Sequence, residues 1–159
     1  MKRLLAVALL LLAACGDEAP KQAVQTDQPA PPFAARSLSG ETMEIPAGQV
    51  VVVRFWASWC SFCKEEMKSI EPVWRANRDK GLLVLAVNAG QSREDIEKFI
   101  APFGLTYPIL LDPGSKIARA WGVTGLPMTV FIGRDGRVKH RVLGESTPET
   151  FRNLVEGLL

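Results

Sequence analysis

The sequence predicts an α/β domain, a single β-sheet with helices on both faces. Three observations carry that expectation. Residues 50–53 and 82–87 are unbroken β-branched and aliphatic runs, the pattern of strands covered on both sides. Segments with apolar residues at helical spacing alternate with them. The chain then closes on two strand-like runs flanking Gly133, Arg134, Asp135 and Gly136, followed by one more amphipathic segment. The length of 159 residues suits one domain, and 47% apolar with 23% charged residues excludes a disordered or collagen-like chain. No internal repeat is evident.

The first element is not part of the domain. Met1, Lys2 and Arg3 make a basic start, and residues 4–14 form an apolar run of eleven. A membrane-spanning helix takes about 20 residues, so this run fits the core of an export signal instead. It ends Leu12, Ala13, Ala14, Cys15, which resembles the bacterial lipobox, where the chain is cut before a cysteine that is then acylated. Residues 1–14 are therefore expected to be a lipoprotein signal peptide, and Cys15 the lipidation site. The alternative is cleavage at a small-residue site, with Cys15 incidental. Without residues 1–14 the chain carries 17 charges of each sign. That balance argues against nucleic acid as a partner and against charge-driven membrane binding. Residues 15–32 contain four prolines and few large apolar side chains, and are expected to form a flexible linker. The folded domain is expected over residues 33–159.

Within it, residues 34–38 and 42–45 flank Ser39 and Gly40 as a short hairpin. The strand over residues 50–56 leads into a helix over residues 61–78, with Cys63, Met67, Ile70 and Trp74 on its buried stripe. Pro72 is expected to kink or end that helix. A strand over residues 82–87 follows. Ser92 is placed to cap a helix whose stripe is Ile96, Phe99, Ile100 and Phe103. Residues 107–111 read as a strand and residues 115–121 as a short helix. The strands over residues 128–132 and 137–143 form the terminal hairpin. Val138, His140 and Val142 are expected to share its packed face, with His140 half-buried. Thr147 and Pro148 are a cap and first-turn pair for the last helix, packed through Phe151, Leu154, Val155 and Leu158.

Three cysteines remain to be assigned. With Cys15 set aside, Cys60 and Cys63 form a close pair. So small a loop would restrict the unfolded chain little, which points to chemistry rather than stapling. The pair follows a buried strand and opens a helix, the placement of a redox dithiol. Cys60 lies at the helix start, where free N–H groups favour a thiolate, the attacking species in disulfide exchange. Cys63 begins the buried stripe. Cys60 is thus expected to be the nucleophile and Cys63 the resolving thiol. Glu65 and Glu66 are expected to be solvated charges of the first turn.

The segment Phe55, Trp56, Ala57, Ser58, Trp59, Cys60, Ser61, Phe62, Cys63, Lys64 resembles the thioredoxin superfamily, and within it the TlpA/ResA-like exported oxidoreductases. A second match runs from Gly122 through Leu126, Pro127 and Met128 to Ile132. The resemblance covers residues 33–159 and implies a thioredoxin-like fold, a central mixed sheet with helices on both faces. It also implies a cis Pro127 facing the cysteines, with Leu126 and Pro127 docking substrate; Trp59, beside Cys60, either joins that docking patch or packs as core. The implied activity is extracytoplasmic reduction of protein disulfides, including those of apocytochrome c in cytochrome c maturation, by the Cys60/Cys63 dithiol with no cofactor. Electrons would come from a membrane thiol reductant of the DsbD or CcdA kind. The protein would be a monomer, lipid-anchored in the bacterial cell envelope and facing the periplasm or cell exterior.

The rival activities are a dithiol oxidase and, from another class, a Cu(I)-binding chaperone. The copper branch of the superfamily uses a wider cysteine spacing and a histidine, and no metal site is expected here. A peroxidase of the peroxiredoxin type needs no vicinal cysteine pair. The chain departs from its apparent relatives at Phe62, where proline is common, and at Arg54, where they carry Asp or Asn. A cation beneath the cysteines would stabilise a thiolate, so Arg54 is expected to tune their pKa. Pairing with Glu65 or Glu66 would mute that effect.

Overall fold

The computed structural model describes residues 24–159. The signal peptide, Cys15 and residues 15–23 of the expected linker lie outside the described residues. Seven strands form one mixed sheet: β1 (Ala34–Ser37), β2 (Thr42–Glu44), β3 (Val50–Trp56), β4 (Leu82–Ala89), β5 (Ile109–Asp112), β6 (Met128–Ile132) and β7 (Val138–Leu143). Their order is β2-β1-β5-β4-β3-β6-β7. β3, β4 and β5 run parallel, and the remaining pairings are antiparallel.

Every residue of β3 is buried, because the sheet is covered on both sides. Val50, Val52 and Trp56 face a core shared with α1 (Cys63–Asn77), α2 (Arg93–Ile100) and α4 (Pro148–Glu156). Val51, Val53 and Phe55 face the opposite core, with α3 (Lys116–Ala120) and Trp121. Strand alternation therefore sends Arg54 to the α1 side. The caps are as expected: Ser92 Oγ accepts from Asp95 N at 3.2 Å and Thr147 Oγ1 from Thr150 N at 3.1 Å.

Of the two outcomes expected at Pro72, α1 does not end there but runs on to Asn77. Two expectations need correction. Residues 24–32 are not a free linker: Val24 is buried, and this stretch hydrogen-bonds along β7 (Asp27 N to Val138 O, 2.8 Å; Val138 N to Gln28 O, 2.9 Å). Such a strap needs little apolar surface of its own, because it borrows the unpaired edge of β7. His140 is exposed rather than half-buried. A bulge sets Phe131 opposite His140 but Ile132 opposite Val138. The extra residue reverses the alternation, so Val138 and His140 fall on opposite faces.

Candidate active site

β3 ends at Trp56, and residues 57–62 turn the chain into α1. Cys60 N donates to Ala57 O at 3.2 Å, and Cys63 N to Cys60 O at 3.1 Å. Cys60 and Cys63 are joined as a disulfide with Cα atoms 5.4 Å apart. Cys60 is 6% exposed and Cys63 wholly buried. α1 begins at Cys63 rather than Ser61, and no side chain caps its first N–H groups. Uncapped amides at a helix start favour negative charge nearby. The structure thus brings one slightly exposed and one shielded cysteine to the mouth of a helix.

The Leu126–Pro127 bond is cis. Met128 pairs with Phe55 across β6 and β3, so Pro127 stands at the same end of the sheet as the turn carrying the cysteines. Leu126 is half-buried and packs against the core that contains both cysteines. Pro127 is buried, and its carbonyl accepts from Gly144 N at 2.8 Å. Trp59 is 71% exposed and Phe62 54%. Trp56, by contrast, is core, stacked on Phe99 at 5.6 Å between ring centroids.

Arg54 is fully buried on the α1 side and paired with Glu66. Its Nη2 bonds Glu66 Oε2, Nη1 lies 3.4 Å from Oε1, and Nη1 donates to Thr129 Oγ1 at 2.8 Å. Glu66 Oε1 also accepts from Ser146 N at 2.9 Å and Ser146 Oγ at 2.7 Å. The expectation for Glu66 is therefore corrected. It follows Cys63 by three residues, so it shares the buried face of α1, and the cation of Arg54 makes its burial tolerable. Glu65 is exposed and pairs with Lys68 at 3.1 Å. Nearby, burial pushes the Tyr107 hydroxyl well above its ordinary pKa, against the opposing charge of Arg54. It stays a neutral donor, bonded to Met67 O at 2.8 Å.

Sequence reasoning missed Ser146, Thr129, Asn88 and Gln91. The first two complete the Arg54–Glu66 cluster from β6 and the loop after β7. Gln91 meets the active-site turn from the β4–α2 loop, backed by Asn88 near the end of β4. None belongs to a local motif. The i, i+3 offset from Cys63 could have flagged Glu66. Among the described residues no group of three or more His, Cys, Asp or Glu side chains is placed to hold a metal ion. Among them, too, no helix is long and apolar enough to cross a membrane.

Comparison with known proteins places this geometry. Residues 26–141 match the AhpC/TSA family model. The thiol-disulfide oxidoreductase ResA of Geobacillus thermodenitrificans is 34% identical over 160 residues, covering 96% of this chain and 92% of the relative. ResA of Bacillus thuringiensis is 32% identical over 133 residues, covering 82% of this chain and 77% of that one. Among solved structures, a Chlorobium tepidum protein provisionally described as a thiol:disulfide interchange protein DsbE superposes with TM-score 0.80 at 27% identity. The match covers 86% of this chain and 99% of that one. StoA from Bacillus subtilis gives TM-score 0.69 at 26% identity, covering 80% and 98%. With a seven-stranded thioredoxin-like sheet and a Cys60–Cys63 pair at the start of α1, the chain belongs to the AhpC/TSA family of the thioredoxin superfamily, among the ResA-type thiol-disulfide oxidoreductases.

Proposed function

We propose that the protein reduces disulfides of exported proteins outside the cytoplasm, possession of the dithiol alternating with possession of the Cys60–Cys63 disulfide. The observation that carries this reading is the difference in exposure between the two cysteines. Cys60 reaches the surface beside uncapped helix amides and Cys63 does not. Cys60, as thiolate, attacks one sulfur of a substrate disulfide, forming a mixed disulfide and expelling the other sulfur, which takes up a proton. Cys63, deprotonated, then attacks Cys60 Sγ and expels the second substrate thiol. Two electrons pass to the substrate, and the protein is left oxidised. A membrane thiol reductant of the DsbD or CcdA kind returns it to the dithiol. Exposed Trp59, with Leu126 and Pro127 opposite, offers an apolar bed for an extended substrate segment such as that of apocytochrome c. Arg54 tunes the thiol pKa as one half of its pair with Glu66.

The direction of transfer is tested by equilibrating the pair with glutathione. The expected potential lies between that of thioredoxin, about −270 mV, and that of DsbA, about −120 mV, on the reducing side of that interval. A value near that of DsbA would make the protein a dithiol oxidase and overturn the reading.

The same proposal places the domain on a lipid anchor at Cys15. Eight residues lie between Cys15 and Val24, the first described residue. Fully extended, the nine steps from Cys15 to Val24 would span about 30 Å. A single acyl chain binds a membrane only marginally, so more than one is required on Cys15. Mass spectrometry of membrane-extracted protein is expected to find a chain beginning at acylated Cys15. A soluble product with Cys15 unmodified would refute the anchor.

A further inference from the structure

The turn that presents Cys60 is held from outside its own element. Ser58 occupies the second position of the Ala57–Cys60 turn, and its N–H and its hydroxyl both go to one side chain, Gln91. Gln91 Oε1 accepts from Ser58 N at 2.7 Å, and Gln91 Nε2 donates to Ser58 Oγ at 2.6 Å. The backbone N–H of Ser58 can only donate, so it fixes which end of the carboxamide is the oxygen. Asn88 fixes the carboxamide from the other side. Its Nδ2 donates to Gln91 Oε1 at 2.9 Å, and its Oδ1 accepts from Gln91 N at 3.1 Å. Asn88 is wholly buried, and in the sheet it stands opposite Trp56, the last residue of β3.

The backbone between them is shaped for this contact. Gly90 has φ +91°, and a Cβ there would lie 2.7 Å from Ser115 Oγ. Any side chain at residue 90 would therefore be strained twice, by backbone conformation and by contact. The turn at Gly90 carries Gln91 back across the end of the sheet to residue 58, 33 positions away in the chain.

We infer that Gln91 is a positioning residue for disulfide exchange, clamping the Ala57–Cys60 turn so that Cys60 is held against the uncapped start of α1. The inference rests on the reading of Cys60 as the attacking thiol. Gln91 touches neither sulfur and acts through Ser58. In the reduced protein no covalent bond to Cys63 restrains Cys60, so the clamp then matters most. Without it, Cys60 would sample positions farther from the helix amides, its thiolate would be less stabilised, and attack at a pH below the thiol pKa would slow.

The test is Gln91→Met, which keeps the length of the side chain and removes its hydrogen bonds, alongside Ser58→Ala and the double variant. The Cys60 thiolate is titrated in the reduced protein by its ultraviolet absorbance, and alkylation by iodoacetamide is followed at a pH below the thiol pKa. Gln91→Met is expected to raise the Cys60 pKa by about half a unit, which is about threefold less thiolate and correspondingly slower alkylation. Ser58→Ala, which keeps its N–H, is expected to move both quantities less. The double variant is expected to match Gln91→Met rather than the sum of the two. Loss of thermal stability with an unchanged Cys60 pKa and alkylation rate would reduce Gln91 to a structural residue and overturn the inference. Additive effects of the two substitutions would also overturn it. Alkylation of the unsubstituted protein at Cys63 before Cys60 is a separate result, and it would overturn the assignment of the nucleophile instead.

Discussion

Cys63→Ser is expected to stop turnover at a mixed disulfide between Cys60 and its substrate, and Cys60→Ser to abolish exchange without trapping. The asymmetry follows from access. Cys60 keeps 6% of its surface exposed while Cys63 has none, so an incoming disulfide meets Cys60 first. Once the mixed disulfide forms, resolution needs an internal thiol within bonding reach, and the 5.4 Å separation of Cα atoms places Cys63 there. Serine fills nearly the same space but cannot carry out the exchange. Non-reducing electrophoresis of envelope extracts should show a ladder of adducts for Cys63→Ser, released by dithiothreitol, and none for Cys60→Ser. Equal trapping by both variants would reverse or dissolve the assignment of roles.

Arg54→Asn is expected to cost about 3–5 kcal/mol of stability, the usual penalty for breaking a buried pair by removing one partner. Asparagine is too short to reach Glu66, whose buried carboxylate would keep only Ser146 N and Oγ as donors. Thr129 Oγ1 would lose its donor as well. Denaturant unfolding measures the loss. Adding Glu66→Gln is expected to restore much of it, because glutamine still offers an oxygen to Ser146 without a charge. A single variant as stable as the unsubstituted protein would overturn the ion-pair account.

The same substitution probes tuning of the cysteines. In the protein as it stands, the Arg54 cation and the Glu66 anion nearly cancel at a distance. Removing Arg54 takes away a cation and leaves a carboxylate three residues along α1 from Cys63. Both changes disfavour a thiolate, so the thiol pKa should rise. A less stable thiolate destabilises the reduced form, and the couple should become more reducing by about 30 mV for each pKa unit. No change in pKa or potential, or a shift of opposite sign, would confine Arg54 to a structural role.

Sequence by itself determined the architecture and the reacting atoms. The six apolar positions of β3, the stripe from Cys63 to Trp74 and the caps at Ser92 and Thr147 are local patterns, and local patterns are governed by strand and helix periodicity. The cysteine pair was legible for the same reason, since a three-residue separation at a helix start makes two thiols neighbours whatever else the chain does.

Only the tertiary structure decided what surrounds them. Residues 24–32 read as linker because their apolar content is low, yet they are ordered by hydrogen bonds to an edge that only the finished sheet provides. His140 was misplaced because a single bulge reverses strand alternation, and the extra residue does not announce itself in an alternating pattern. Glu66 read as solvated because a carboxylate in a first helical turn usually is. Its burial depends on Arg54, 12 residues earlier, and Ser146, 80 residues later. Gln91 likewise acquires its place only when β4 lies beside β3 and the loop beyond it closes over Ser58. Charge pairs and hydrogen bonds between distant segments carry no periodicity, so it is the packing of the sheet and helices that sets them.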